Sequence, residues 1–238
     1  MASVELLKQK YYPDESTDGT LTFYTWLRQH ARPHDLVLNV GAGPSADRKV
    51  RSLKGEVKHV VGVDIDEAVL QNTDLDQAFV IENGKLPFPD DYFDLAWADY
   101  VLEHVQEPAM FLKEIHRVLK ADASFFFRTP NKRHYVSLIG RATPQSFHEL
   151  CANRVRGLAD GSHEPYPTYY LLNDRRTIEK IAFLSGFRKT ELKFVEAEPS
   201  YLVFHPLAFL LGVFYERLVN KFEPLAGIRA NIFGRLQK

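Results

Sequence analysis

The sequence has little that ties the chain to an oxidising compartment or to nucleic acid. A single cysteine, Cys151, among 238 residues excludes an internal disulfide and a cysteine-based zinc site. Thirty Lys and Arg residues against 31 Asp and Glu residues give a formal charge of −1, so no overall basic charge attracts a polyanion. We therefore expect a cytoplasmic protein that binds no nucleic acid.

Long apolar runs and internal repeats are also lacking. The charged stretch 1–20 has no apolar core of the length that a signal peptide requires. The longest apolar stretch, 201–215, is interrupted by His205 and Pro206 and is shorter than the roughly 20 residues of a spanning helix. Without a repeat period or a low-complexity linker, we predict one domain over 1–205 and a C-terminal helical extension over 206–238.

What the chain does contain is an alternation of short apolar runs with amphipathic segments. The segment 108–120 has one apolar stripe at helical spacing, and 175–185 reads as a helix between a polar cap and Gly186. This alternation predicts an α/β fold with a doubly wound, mostly parallel seven-stranded sheet of Rossmann-like form. Two late segments, 187–195 and 201–204, are too close for a helix between them and predict an antiparallel hairpin at the sheet edge. The other five predicted strands are 36–40, 60–63, 78–81, 93–97 and 124–127.

A glycine-containing loop follows the first predicted strand. Gly41 and Gly43 let the backbone approach a ligand, and Asp64 ends the second strand, where an acid accepts hydrogen bonds from a ribose diol. With Ala46 the loop also fits the dinucleotide pattern G-x-G-x-x-A, which places a pyrophosphate on a helix N-terminus. From these residues alone, a dinucleotide, another nucleoside ligand and a merely tight turn all remain open.

Further motifs occur in a fixed order, and together they resemble those of class I S-adenosylmethionine-dependent methyltransferases. The resemblance covers about residues 35–130 and is nearest to the small-molecule enzymes of the ubiquinone and menaquinone pathways. The motifs that carry it are Val37-Leu38-Asn39-Val40-Gly41-Ala42-Gly43, Gly62-Val63-Asp64-Ile65, Leu86-Pro87-Phe88-Pro89-Asp90-Asp91-Tyr92-Phe93-Asp94, Val101-Leu102-Glu103-His104-Val105, Arg117-Val118-Leu119-Lys120 and Thr129-Pro130-Asn131.

The resemblance implies S-adenosylmethionine as the cofactor and a role for each matching residue. It places the loop Gly41-Ala42-Gly43 under the amino-acid portion of the cofactor. It implies that Asp64 binds the ribose hydroxyls and that Ile65 packs on the adenine ring. Glu82 stands where the family usually has an acid for the adenine amino group, and the backbone N–H of Asn83 reaches a ring nitrogen.

The same resemblance puts Asp99 to His104 beside the methyl group and the acceptor. His104 is our candidate general base, because its ordinary pKa lies near neutral pH; the alternative is a structural histidine bonded to a backbone carbonyl. Two departures stand out. Asn39 replaces an acid that the family usually has, and Tyr100 replaces the first acid of the Glu-x-x-Glu-His run of metal-dependent relatives, so we expect no metal site.

The region of about 131–172 is longer than a crossover helix needs and reads as an insertion that covers the acceptor in the resembling family. It holds several rings that suit a sugar or an aromatic acceptor: Tyr135, Phe147, Tyr166, Tyr169, Tyr170, His134, His148 and His163. We predict methyl transfer to an oxygen, less favourably a nitrogen, of a small acceptor such as a sugar, an aromatic or a secondary metabolite. The alternatives are an NAD-dependent oxidoreductase and an inactive methyltransferase-like scaffold.

The segment 206–238 is expected to form a helix that is apolar on nearly all faces, followed by residues with a net positive charge. Apolar and basic residues together are typical of segments that lie on anionic membranes. A helix buried in its own monomer, or in a homodimer interface, is the other interpretation.

Overall fold

The computed structural model describes residues 3–14, 17–45, 49–142 and 166–238. Seven strands form one sheet in the order β3-β2-β1-β4-β5-β7-β6, which confirms the predicted Rossmann-like class. The first five strands are parallel to one another. The strands are β1 Leu36–Val40, β2 His59–Asp64, β3 Gln77–Val80, β4 Phe93–Asp99, β5 Leu119–Pro130, β6 Lys189–Val195 and β7 Asn231–Gln237.

The central strands are apolar because they are covered on both faces. Val37 of β1 pairs with Val60 of β2 on one side and with Leu95 of β4 on the other, and all three side chains are buried. Parallel strands place their carboxyl ends at one edge, so the loops after β1, β2, β3 and β4 meet there.

The predicted hairpin was wrong in its second strand. Residues Ser200–Leu202 form a 3-10 turn, and the partner of β6 is β7, at the end of the chain. Hydrogen bonds from Lys238 N to Ala123 O, and from Arg188 N to Gln237 O, show that β7 runs antiparallel to β5 and β6. The segment predicted as a helical extension therefore contains the last strand of the sheet, and its standing as a separate domain stays a prediction.

The six helices of the described residues are α1 Val4–Tyr11, α2 Gly19–Arg28, α3 Pro108–Val118, α4 Tyr135–Ala142, α5 Arg175–Leu184 and α6 Pro206–Lys221. Helix α5 begins at the predicted polar cap, where Asp174 accepts a hydrogen bond of 3.1 Å from the backbone N of Thr177. Helix α3 buries Leu112, Ile115 and Val118, as its apolar stripe predicts. Short 3-10 turns include Lys49–Arg51, Glu67–Gln71, Leu102–His104 and Glu223–Ile228.

The chain divides into two compact units. The sheet unit comprises Phe23–Thr129, Thr168–Lys193 and Ile232–Lys238, and the helical unit comprises Met1–Thr22, Pro130–Pro167 and Phe194–Asn231. In the helical unit, α1 packs on α6 around Tyr12, Phe209 and Val213. Among the described residues, no helix is both long enough and apolar enough to cross a membrane.

Candidate active site

The loop after β1 is held in place by hydrogen bonds to its backbone. The N–H groups of Gly41 and Ala42 both donate to Val63 O at the end of β2, at 2.8 and 3.1 Å. From the other side, the buried Asn72 donates through Nδ2 to Ala42 O at 3.3 Å and to Gly43 O at 2.9 Å. The loop is thus fixed on two sides without the use of a side chain of its own.

Both glycines of this loop have left-handed backbone angles, with φ of +67° at Gly41 and +53° at Gly43. Their surroundings differ. A Cβ at Gly41 would lie 2.3 Å from Cγ2 of Val101, whereas a Cβ at Gly43 would meet no atom of the described residues within 4 Å. Gly41 is therefore required by packing inside the protein, and Gly43 borders space that the described residues leave open to a ligand.

Asp64 ends β2 and faces the same loop. Its Oδ2 accepts a hydrogen bond from Gly43 N at 2.8 Å, and its Oδ1 accepts one from Asp66 N at 3.0 Å. An ionised carboxylate has about four acceptor positions, so about two remain for an added diol. The same group can fix the glycine loop and bind a ribose.

An apolar and exposed surface lies beside Asp64. Ile65 is 63% exposed, and Val80, at the end of β3, is 36% exposed. Glu82 and Asn83 follow β3 and are both exposed, and Asn83 has a left-handed φ of +55°. Apolar side chains open to solvent beside a carboxylate and an open glycine loop match an adenosine group, so the residues present fit S-adenosylmethionine.

The ends of β4 and β5 are built from buried charges instead. Oδ1 of Asp99 accepts a hydrogen bond from Nε of Arg128. Its Oδ2 accepts two, from Nη2 of Arg128 at 2.8 Å and from the Tyr24 hydroxyl at 3.0 Å. Arg128 is 2% exposed. Burial raises the pKa of Tyr24, so the phenol stays protonated and donates to the carboxylate. These contacts use both oxygens of Asp99 inside the protein, and its binding to the cofactor stays a prediction.

Tyr100 follows Asp99 with an unusual backbone. Its φ is +59°, and its ring lies 4.6 Å from the guanidinium carbon of Arg128. The cation-π contact supports a conformation that costs a non-glycine residue of order 1–3 kcal/mol. In the described parts of the chain, no three His, Cys, Asp or Glu side chains gather into a metal-binding group, and metal independence stays a prediction.

His104 lies in the 3-10 turn that follows β4, next to the buried Glu103. Its N–H donates to Val101 O at 2.9 Å, and its side chain is half-buried. Burial raises the pKa of Glu103, while the neighbouring His104 and a hydrogen bond from Thr129 act in the opposite direction. The turn thus brings His104 to the carboxyl end of β4, as the sequence predicts, and its catalytic role stays a prediction.

Glu103 also joins this turn to the segment that returns to the sheet unit at residue 168. Its Oε2 accepts from the Thr129 hydroxyl at 3.1 Å, and that hydroxyl accepts from Asn173 Nδ2 at 2.7 Å. Its backbone O accepts from the N–H groups of Tyr169 at 2.7 Å and Tyr170 at 3.2 Å. Glu103 therefore fixes two predicted acceptor-side tyrosines beside the turn that carries His104.

The structure describes only some of the other ring-bearing residues of the predicted insertion. His134 and Tyr135 lie in the helical unit, where His134 Nε2 is 3.6 Å from Oε1 of the buried Glu196. Tyr166 is exposed. The motif residue Ala46 and the insertion residues Phe147, His148 and His163 lie outside the described residues.

The sequence analysis gave no role to five residues of the site, although one of them, Thr129, belongs to the motif Thr129-Pro130-Asn131; the five are Tyr24, Asn72, Arg128, Thr129 and Asn173. Of these five, Arg128 and Thr129 could have been recognised from the sequence, because a charged and a polar residue stand at the end of the apolar run of β5. A buried arginine in such a run requires an acidic partner, and Asp99 at the end of the neighbouring strand is the nearest acid by register.

Comparisons with known proteins show the family of the chain. A family described as a methyltransferase domain matches residues 38–127. The ubiquinone/menaquinone biosynthesis C-methyltransferase UbiE of Vibrio parahaemolyticus serotype O3:K6 (strain RIMD 2210633) is 30% identical over 182 residues, which cover 68% of this chain and 67% of that one. The chain belongs to the class I S-adenosylmethionine-dependent methyltransferases.

Family membership confirms the fold and the cofactor class that the motifs imply. The chain spans about two thirds of the length of the curated relatives it matches, 66% for the relative from Vibrio vulnificus (strain YJ016). A methyltransferase structure from Archaeoglobus fulgidus shares the fold, with a TM-score of 0.57 and 15% identity over 98% of this chain and 99% of that one. The [4+2]-cyclase SpnF also shares it, with a TM-score of 0.57 and 17% identity over 92% and 81%. The fold alone therefore does not fix the reaction.

Proposed function

We propose that the chain transfers a methyl group from S-adenosylmethionine to an oxygen of a small hydroxylated acceptor. The observation that carries this proposal is the bond from Gly43 N to Asp64 Oδ2, which joins an open glycine loop to a carboxylate at the edge where His104 lies. In this proposal the loop Gly41-Ala42-Gly43 accommodates the amino-acid portion of the cofactor and Asp64 binds the ribose. Ile65, Glu82 and Asn83 contact adenine, and Asp99 borders the cofactor.

The bound cofactor supplies an electrophilic methyl group on a sulfonium. The residues of the chain supply position and proton removal. His104 takes the proton of the acceptor hydroxyl as the oxygen–methyl bond forms and the sulfur–methyl bond breaks. The products are the methyl ether, S-adenosylhomocysteine and the proton now on His104. The backbone O of Glu103 holds the N–H groups of Tyr169 and Tyr170 at the acceptor side.

A second candidate is methylation of a ring carbon beside a hydroxyl. The curated relatives are named C-methyltransferases of ubiquinone and menaquinone biosynthesis, and this observation favours it. Removal of the proton from a ring hydroxyl raises the electron density at the adjacent carbons, so the same base would serve both reactions. The carbon that takes the methyl group then loses its own hydrogen as a proton, and the ring oxygen regains one, which restores the aromatic ring and the hydroxyl. The position of the new methyl group distinguishes the two candidates.

The experiment is a transfer assay with S-adenosylmethionine labelled at the methyl group and a panel of phenols, hydroquinones, sugars and amines. We expect labelled product from a hydroxylated member, and mass spectrometry will locate the methyl group on oxygen or carbon. His104→Ala should lower turnover by roughly 10² to 10⁴ without weakening cofactor binding. His34→Ala is the matched control, because His34 is exposed and precedes β1, at the opposite edge of the sheet.

Three results would count against this assignment. Near-normal turnover of His104→Ala returns His104 to a structural role. If only the amines of the panel give product, the methyl group is transferred to nitrogen and not to oxygen. Absence of transfer to any member of the panel, in a protein that binds S-adenosylhomocysteine, supports the inactive scaffold.

A further inference from the structure

Helix α6 of the helical unit is apolar on two opposite faces. Its inner face is buried: Phe209 and Val213 pack on α1, and the ring of Phe209 meets that of Tyr12 edge-on at 6.1 Å. A Cβ on Gly212 of the same face would lie 2.6 Å from Pro199, so this side of the helix is closely packed. The inner face accounts for the attachment of α6 to its own unit.

The outer face is exposed to solvent in the part of the chain that the structure describes. Its large apolar side chains, together with the one that precedes the helix, are 36% to 66% exposed. The four side chains within the helix follow one another at intervals of four, three and four residues, which places them in one line along it. This outer stripe consists of Phe204, Leu207, Leu211, Phe214 and Leu218.

Helix α4 extends the apolar surface. The ring of Tyr135, at its start, meets Tyr215 of α6 at 5.0 Å between centroids. Leu138 and Ile139, three and four residues later, lie on the same side of α4 as Tyr135 and are both more than half exposed. A patch of this length is larger than the scattered apolar residues of an ordinary surface and indicates a binding face.

The charges beside the stripe are basic. Helix α6 contains a single acid, Glu216, which is 2% exposed and accepts hydrogen bonds from the Tyr12 hydroxyl at 3.1 Å and Asn220 Nδ2 at 2.7 Å. Its two bases are exposed: Arg217, which also contacts Glu216 and Tyr11 O, and Lys221 at the last turn. Arg133, in the turn before α4, is exposed as well.

An apolar helical stripe can bind either a second copy of the chain or a membrane surface, and the exposed charges favour one of the two. A second copy of the chain would present no exposed acid of α6 to Arg217 and Lys221, because Glu216 is buried. An anionic bilayer surface attracts each base and accepts the Leu and Phe side chains at the boundary of its acyl chains.

We propose that the helical unit docks on an anionic phospholipid surface through the outer stripe. Helix α6 lies in the plane of the interface, with Arg217 and Lys221 at the level of the headgroups. The proposal is independent of the acceptor and of the catalytic residues, because it concerns a surface of the helical unit only. It also assigns a use to the apolar surplus that the sequence showed in 206–221.

The test is sedimentation of the full chain with vesicles of phosphatidylcholine alone or of equal parts phosphatidylcholine and phosphatidylglycerol. We expect binding to the mixed vesicles that weakens as salt is raised. The double variant Leu211→Glu/Phe214→Glu should lower the partition coefficient at least about tenfold. The matched control is Phe183→Glu/Leu184→Glu on α5, which changes equally exposed apolar residues of the sheet unit and should alter partition less than about twofold.

Analytical ultracentrifugation of the same proteins without lipid completes the test. All four substituted side chains are exposed, so circular dichroism should report folded variants with unchanged melting temperatures. The proposal is overturned if the parent protein does not sediment with the mixed vesicles, or if both double variants lose binding equally. It is also overturned if the parent is a dimer that Leu211→Glu/Phe214→Glu converts to a monomer, since the stripe then belongs to a second copy.

Discussion

At the ends of β1 and β2 the candidate site is made of backbone groups and one carboxylate, whereas at the ends of β4 and β5 it is made of buried charged side chains. The first region, the cofactor edge, comprises the loop 41–43 with Asp64 and Ile65. The second, the acceptor edge, comprises Asp99, Glu103, Arg128 and Thr129 with the segment 168–173. In the cofactor edge the critical contacts link one loop to the next strand, and in the acceptor edge they link residues up to 75 positions apart.

This difference teaches that the two edges have separate tasks. The cofactor edge needs space and exposed hydrogen-bonding groups for a ligand, and Gly43 and Asp64 provide them. The role proposed for His104 requires that the acceptor edge place a proton acceptor rigidly, and buried hydrogen bonds of Glu103 fix the turn that carries it at the expense of desolvation. Substitutions should therefore affect stability most at the acceptor edge.

The largest loss of stability is expected for Arg128→Met. It leaves the carboxylate of Asp99 buried with the Tyr24 hydroxyl as its only remaining side-chain donor in the hydrogen-bond network described above. The free energy of unfolding, measured by urea denaturation, should fall by about 3 to 5 kcal/mol. Asp99→Asn in the same chain removes the stranded charge and should restore part of the loss. A loss below about 1 kcal/mol would show that the pair is solvated and that the two edges do not differ in this way.

A smaller loss is expected for Gly41→Ala at the cofactor edge. The new Cβ meets Val101, whose branched side chain has little freedom to move, and the backbone is left-handed. Together these effects should cost about 2 to 4 kcal/mol. Gly43→Ala is the matched control, because it has the backbone strain without the clash and should cost about 1 kcal/mol. In a chain that also carries Val101→Ala, Gly41→Ala should lower the free energy of unfolding only as much as Gly43→Ala does. If the two glycine substitutions cost the same in the parent chain, the packing argument is contradicted.

The third prediction on stability concerns its dependence on pH. Because burial raises the pKa of Glu103, the folded chain binds its proton more tightly than the unfolded chain. Stability is then lost as the pH rises from the ordinary pKa of about 4.3 toward the raised value, by about 1.4 kcal/mol for each pH unit in that window. Glu103→Gln, which resembles the neutral form, should show a smaller decrease over the same window in urea denaturation. Parallel pH profiles of the two proteins would contradict the raised pKa.

The features predictable from the sequence are those that depend on neighbouring residues. Alternating apolar runs predicted the first five strands, and the motifs placed the glycine loop beside Asp64, while the binding of the cofactor there stays a prediction. The seventh strand was assigned to 201–204, because a short apolar run after β6 resembles a hairpin, whereas the real partner is 231–237. Nothing local distinguishes the two segments, since β7 is selected by the free edges of β5 and β6.

The side-chain contacts of the acceptor edge could not be predicted from the sequence, because they too join residues that are far apart in the chain. The pairing of Asp99 with Arg128 depends on the register of two strands, and the contact from Tyr24 depends on how α2 packs. Asn173 reaches Thr129 from a segment that follows the whole insertion. Motifs identify residues that a ligand requires, but side-chain networks between distant elements become visible only when the chain is folded.

Calorimetric titration with S-adenosylhomocysteine and with NAD tests the assignment of the cofactor edge most directly. We predict that the protein binds S-adenosylhomocysteine and not NAD, and that Asp64→Ala weakens this binding by about 1.5 to 3 kcal/mol. Asp76→Ala, at the opposite end of the parallel strands, should leave the affinity unchanged. Binding of NAD without S-adenosylhomocysteine, or unchanged affinity in a folded Asp64→Ala protein, would contradict the account.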